Sequence, residues 1–437
     1  MHPGNPYSDH GSPARAIGDA RIPPYAWYAL ALLTAFHAVN AIDRQVMFVV
    51  LEPMKAEFHI SDATAGALTG MAHGIAFATT TVPLAWLADR LNRARLLSAM
   101  AMIWGCLTAF AGFAVTIPQL FLARMGVGAA EGGTTPACFS LIADYFPPHR
   151  RGTAVGVYFV SAAIGTGGTY IVGARVADAF GWRAAFLVAA APTILISLIA
   201  FATLRDPGRG RFDQETTHAD ATLPIQKVVP MILCSPALMC GIIGHMMAVM
   251  TISAYYAFSI SMFVREHGQT LKEAAFLVGL ATGVSHAFGS VIGGPLCDRI
   301  TAGRADRIGF FPAAILVIAV PAGLLMTVSG SLAIATIGLF LFTFLAGIWL
   351  PHGYATPFTL APAEARASTM GVTLIFTNLV GTGVGPFLAG FMSDRFGSMG
   401  EALATMLVFY LTGAAFLALA SWQFRRARMV RSMPATA

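Results

Sequence analysis

The chain is built from a dozen apolar runs of roughly twenty or more residues, and few folds accommodate such a pattern. A run of that length crosses a ~30 Å hydrocarbon core as a helix rising ~1.5 Å per residue. Lipid offers no partner to an open backbone N–H, so such runs span as helices. The pattern predicts spans near residues 25–51, 62–88, 95–115, 118–146, 152–174, 181–203, 235–264, 271–297, 308–328, 331–350, 367–392 and 400–424. With 56% hydrophobic and 11% charged residues, a soluble globule is excluded. The expected fold class is an all-α integral membrane protein of twelve transmembrane helices in two pseudo-symmetric six-helix bundles.

The two sets of six runs flank one long polar stretch, Leu204 to Lys227, whose Pro, Gly and charge content reads as an exposed, mobile linker. The expected organisation is an N-terminal segment 1–24, a bundle 25–203, a linker 204–234, a bundle 235–424 and a basic tail 425–437. No short apolar core with a small-residue cleavage site precedes the first span, so no cleavable signal peptide is expected. Cys106, Cys138, Cys234, Cys240 and Cys297 lack metal-ligand spacing or a disulfide framework and read as packing residues. Neither a metal nor a cofactor is expected; the energy source would be a proton gradient.

The net charge of +6 would suit nucleic acid, but its placement serves topology instead. With the N terminus in the cytoplasm, nineteen Lys and Arg fall on inside segments and six on outside loops. That bias puts both termini in the cytoplasm. Compact loops and short termini suit a bacterial inner-membrane protein acting as a monomer.

An internal repeat carries a mechanism. Ala85-Trp-Leu-Ala-Asp89-Arg90-Leu-Asn-Arg93 follows span two, and Gly294-Pro-Leu-Cys-Asp298-Arg299 stands at the equivalent place after span eight. A small residue four before the acid lets helices approach, and the acid suits the positive N-terminal end of a helix in the other half. Asp89 is expected to cap the helix starting near Ser368, and Asp298 the one starting near Gly152. With Arg90, Arg93, Arg299 and Asp144 they form the expected cytoplasmic gate. The pattern resembles the G-x-x-x-D-R-x-G-R-R loop motif of the major facilitator superfamily, with Ala85 and Asn92 replacing its glycines. The resemblance implies alternating access around a central cavity.

Four strongly ionisable residues sit deep in the spans: Asp43 and Arg44 in the first, Arg124 and Glu131 in the fourth. Charge is costly in lipid, so they should face the bundle interior and pair. Arg124 and Glu131, seven apart, share one face two turns apart. Asp43 and Glu131 read as proton carriers, because arginine does not release its proton. Arg44 and Arg124 read as partners of an anionic substrate group or of those carboxylates; a purely structural ion-pair cluster is the other reading. The second half lacks such charge but offers His245, Tyr255 and Tyr256 on span seven, with Met246, Met247 and Met250, and Trp349, Phe376 and Asn378 later. These read as a substrate wall that suits a charged head on an apolar body, or else as side chains facing lipid and neighbouring helices. His37, His73, His245, His286 and His352 read as hydrogen-bonded packing residues or, alternatively, as further proton carriers.

Asn40-Ala-Ile-Asp43-Arg44, Arg124-Met-Gly-Val-Gly-Ala-Ala-Glu131, Leu141-Ile-Ala-Asp144-Tyr-Phe, Gly181-Trp-Arg183 and Leu204-Arg-Asp-Pro-Gly-Arg209-Gly resemble the Spinster family. The likeness is strongest in the N-terminal half and the linker. It implies a transporter of sphingolipids or lysophospholipids, of the sphingosine 1-phosphate type, with Asp43 and Glu131 in proton linkage and Arg44 at the substrate head group or Glu131. The expectation is a proton-coupled secondary transporter of an amphiphilic anion; a symporter of small organic anions or a multidrug exporter is the alternative. No catalytic or phosphate-binding set occurs at a usable spacing, so an enzyme is not expected.

Overall fold

A computed structural model describes residues 23–209, 225–301, 304–362 and 365–432. Among them the chain is helical, with no strand. The spans are Pro24–Val49, Asp62–Ala88, Arg93–Ala111, the split fourth at Ile117–Glu131 and Thr134–Tyr145, Pro148–Phe180 and Trp182–Thr203, then Pro236–His267, Leu271–Thr301, Phe310–Val328, Leu332–Leu360, Ser368–Phe396 and Met399–Ala427. Ten are long and apolar enough to cross a bilayer. The fourth is broken by a turn at Gly132 and Gly133, and the glycine-rich fifth runs 33 residues.

Helix starts follow local chemistry. Ser61, Asn92, Thr116, Ser235, Thr270 and Ser398 each accept a backbone N–H of the first turn, and Glu273 completes a capping box with Thr270. Pro24, Pro148 and Pro236 occupy first-turn positions, where their missing N–H costs nothing. Large side chains such as Ile103, Leu122, Phe201 and Val291 stay exposed, as a lipid-facing surface requires.

Several boundaries differ from expectation. Span ten continues to Leu360 through Pro351 and Pro357, which neighbouring helices allow in a membrane. The segment after span one is a helix, Leu51–Phe58, rather than a loop. The expected linker contains a helix, Ile225–Cys234, and its residues 210–224 lie outside the described residues. The last helix runs to Ser432, so most of the basic tail continues it. Residues 1–22 of the N-terminal segment lie outside the described residues.

The Arg-rich loops mark one face of the bundle, called here the basic face. Toward the opposite face one apolar cluster crosses between halves, from Val46, Val50 and Met54 to Phe258, Met262 and Phe263. Toward the basic face the clusters are separate: Leu33, Trp104 and Tyr145 in the first half, Ile232, Leu238 and Leu360 in the second. The halves are joined at the face opposite the basic one.

Candidate functional site

Span four approaches span two so closely that a Cβ on Gly128 would lie 2.4 Å from the His73 carbonyl oxygen. That contact brings Glu131, one turn on, to the imidazole: His73 Nε2 lies 2.9 Å from Glu131 Oε2. Arg44 donates its Nε to the same oxygen at 2.9 Å. The other carboxylate oxygen, Oε1, is buried and has no partner among the described residues.

A second pair lies beside the first. Arg124 donates Nη1 to Asp43 Oδ2 at 3.3 Å and to the Asp43 carbonyl at 3.4 Å, while Thr108 of span three donates its hydroxyl to Asp43 Oδ1. Spans one and four are antiparallel, and Glu131 lies about 10 Å along its helix from Arg124. Arg44 therefore extends toward the basic face to reach Glu131, and its guanidinium rests 5.1 Å from the centre of the Phe77 ring.

The two arginines differ in access. Arg124 is 2% exposed, whereas the Arg44 side chain is 33% exposed. The Arg44 charge acts on His37 of span one and on Tyr354 of span ten. Arg44 thus faces the space between the halves, and Arg124 is enclosed by its partner.

The second-half residues divide. His245 is fully buried with neither ring nitrogen hydrogen-bonded, its ring 4.0 Å from that of Tyr354 and 6.0 Å from that of Trp349. Tyr255 does not join a substrate wall in this arrangement: it is buried with its ring stacked 4.3 Å from Phe342. Adjacent helix positions point ~100° apart, and it is Tyr256 that turns inward. The Tyr256 hydroxyl lies 3.2 Å from His286 Nδ1, and its carbonyl accepts a 3.4 Å hydrogen bond from Tyr170 of the first half. Phe376 is exposed, and Asn378 is buried with Nδ2 on the Leu374 carbonyl.

Among the described residues, Asp89, Arg90, Arg93, Asp298 and Arg299 make no hydrogen bond or ion pair between the halves. Arg93 works inside the first half, bonding Asp144, Ser140 at 2.7 Å and Asp206 at 2.5 Å. This ties the start of the linker to spans three and four. Arg209 donates to the carbonyls of Ala88 and Asp89, satisfying the end of span two. The carboxylates of Asp89 and Asp298 are exposed and have no hydrogen bond or ion pair among the described residues. Arg90 lies 3.8 Å from the Trp86 ring centre, and Arg299 is exposed.

Sequence reasoning passed over several residues here. His73 read as packing, although its place on span two level with Glu131 was open to calculation. Thr108 and Tyr354 carry no distinguishing signal in an apolar run. The polar cluster of Glu52, Lys55, Asp62 and Arg265 joins the halves at the face opposite the basic one.

Twelve spans in two joined halves, with an ion-pair cluster buried in the first half, define a polytopic membrane transport protein. The model of the Major Facilitator Superfamily matches residues 32–386, and the chain belongs to that family. It is a secondary transporter of the Spinster type that moves small-molecule substrates across a membrane, rather than an enzyme. A bacterial homologue of the human lysosomal transporter Spinster, solved inward-facing and unoccupied, superposes with a TM-score of 0.83 at 26% identity, over 92% of this chain and 98% of that one. An MFS-type efflux pump of Mycolicibacterium smegmatis is 26% identical over 93% of this chain and 95% of its own length. Protein spinster homolog 1 of Homo sapiens is 28% identical over 44% of this chain and 36% of its own.

Proposed function

We propose that the chain couples protons to the movement of an amphiphilic anion of the lysolipid or sphingolipid kind, with its basic face in the cytoplasm. The observation that carries this reading is the state of Glu131. One of its oxygens holds Arg44 and His73, and the other is buried and bare. A buried carboxylate oxygen without a donor is a natural place for a proton. Protonation of Glu131 removes the charge that restrains Arg44, and the half-exposed guanidinium is then free for a substrate carboxylate or phosphate. Proton and anion would bind together. Asp43 is the second carboxylate of this coupled group, with Arg124 holding it in place.

The amphiphilic part of the reading is supported by the contrast between halves. The Arg44 charge acts on Tyr354 of the second half, and that half carries no counterpart of the charged quartet in its spans. Resemblance to Spinster proteins agrees with such a substrate. A second reading, multidrug export, is favoured by the likeness to an MFS-type efflux pump along nearly the whole chain.

Uptake into liposomes tests the proposal, using a lysophospholipid, a sphingoid phosphate, benzoate and a cationic dye, each with and without a pH gradient. Gradient-stimulated movement of the anionic amphiphiles is expected. Movement of the dye alone selects the export reading, and transport indifferent to the gradient sinks proton coupling.

A further inference from the structure

Spans two and eleven run antiparallel along the seam between the halves, so each begins beside the end of the other. At the face opposite the basic one, Asp394 lies in the last turn of span eleven. Its Oδ1 accepts the backbone N–H of Asp62 at 2.8 Å, and its Oδ2 accepts that of Ala63 at 2.8 Å. Both donors belong to the first turn of span two, where N–H groups have no partner within the helix. The carboxylate also meets the positive end of the helix dipole. The cap thus joins one half to the other through backbone groups that would otherwise need water.

The surroundings make this contact a reporter of full closure. A Cβ on Gly390 would lie 2.1 Å from the Asp62 carbonyl oxygen, so the two backbones touch when the cap is made. Arg265, at the end of span seven, donates to Asp62 at 2.7 and 2.9 Å and to Glu52 at 3.1 Å. Lys55 also pairs with Asp62, and Ser393 donates to it at 2.7 Å. These cations let Asp62 and Asp394 stand as neighbours.

The far end of the same helix pair carries the same parts in reverse. Asp89 closes span two, and the helix that begins at Arg366 has no side-chain cap from its N-cap residue, Ala365. There Asp89 is exposed and unpaired among the described residues. One end of the pair is capped while the other is open.

We propose that Asp394 is a positioning residue of the transport cycle, the counterpart of Asp89, and that the two carboxylates act as reciprocal latches on spans two and eleven. When the halves rock, the cap by Asp394 breaks as that by Asp89 forms. Each exchange trades one carboxylate-to-helix contact for another, so neither end state is a deep trap. The inference rests on alternating access alone, and holds whatever the substrate or coupling ion.

Distances between spin labels test it in the full chain, reconstituted with its native cysteines replaced. One pair, Phe180→Cys with Ser331→Cys, reads the face opposite the basic one; another, Leu91→Cys with Ile300→Cys, reads the basic face. Asp394→Asn is expected to raise the population parted at the first face by about 2- to 30-fold, the range a helix-end charge supplies. Asp89→Asn is expected to lower it, and the double variant to return toward the parent. A merely structural Asp394 would not be compensated in this way. Unchanged distances in Asp394→Asn, or a double variant that does not return, overturn the proposal. Should Asp394→Asn not fold, Asp89→Asn alone decides: an unchanged distribution overturns the reciprocity.

Discussion

Arg44 and Glu131 are joined by a 2.9 Å hydrogen bond between spans one and four, and one partner is 33% exposed while the other is wholly buried. The asymmetry gives each residue a distinct test. Glu131→Gln keeps the shape of the side chain and removes its charge, weakening a charge-assisted bond of about 1.5–3 kcal/mol. Downhill movement of the anion is expected to persist in this variant, while acceleration by a pH gradient disappears. Gradient stimulation surviving in liposomes would remove Glu131 from the coupling step.

Asp43→Asn is expected to behave differently. It strips the partner from Arg124, which is 2% exposed and cannot lose its proton. A buried charge left alone costs about 3–5 kcal/mol. The variant should therefore melt at lower temperature in detergent than Glu131→Gln, whose freed Arg44 already reaches the space between halves. Equal melting of the two variants would contradict this division of roles.

The spans and the charged quartet were legible in sequence because length and intramembrane charge are physical extremes that few arrangements satisfy. Asp43, Arg44, Arg124 and Glu131 had nowhere to go but toward one another. Pairing within the quartet was not legible, since it depends on how far Arg44 extends along its neighbours. Tyr255 and Tyr256 illustrate the same gap: one register position separates a residue packed on Phe342 from one at the seam. The motif after span two predicted a cap at the basic face, and sequence alone does not say which end of a rocking pair is closed. Asp394 stands in a further G-x-x-x-D-R-x-G stretch, Gly390 to Gly397, but nothing in the sequence says which helix end it meets. Its role emerges only when the first turn of span two is brought within 2.8 Å.

Arg93 fastens the linker through Asp206, accepting no help from the second half. Burial raises the Asp206 carboxyl, but hydrogen bonds from the Arg93 side chain and backbone outweigh it and hold the group below the ordinary carboxylate value. A lowered value in the folded chain means stability that is present above the unfolded value, ~3.9, and lost as pH falls through the folded one. Asp206→Asn is expected to increase hydrogen exchange over residues 204–209 at neutral pH and to abolish its rise on acidification. Exchange identical to the parent at both pH values would show that the anchor contributes nothing.

Tyr354 supplies the last test, because it is a second-half side chain on which the Arg44 charge acts, and its hydroxyl has no hydrogen-bond partner among the described residues. Its ring is held 4.0 Å from that of buried His245, so removing the hydroxyl should leave the packing intact. An anion drawn to Arg44 from the first half would take a second hydrogen bond from Tyr354 as the halves close. A hydrogen bond to a charged group is worth about 1.5–3 kcal/mol, so Tyr354→Phe should raise KM for the anion roughly tenfold or more, with the melting temperature unchanged. The same variant should leave an uncharged analogue of the substrate unaffected. If KM rises equally for both, Tyr354 serves packing, and the second half contributes only an apolar wall.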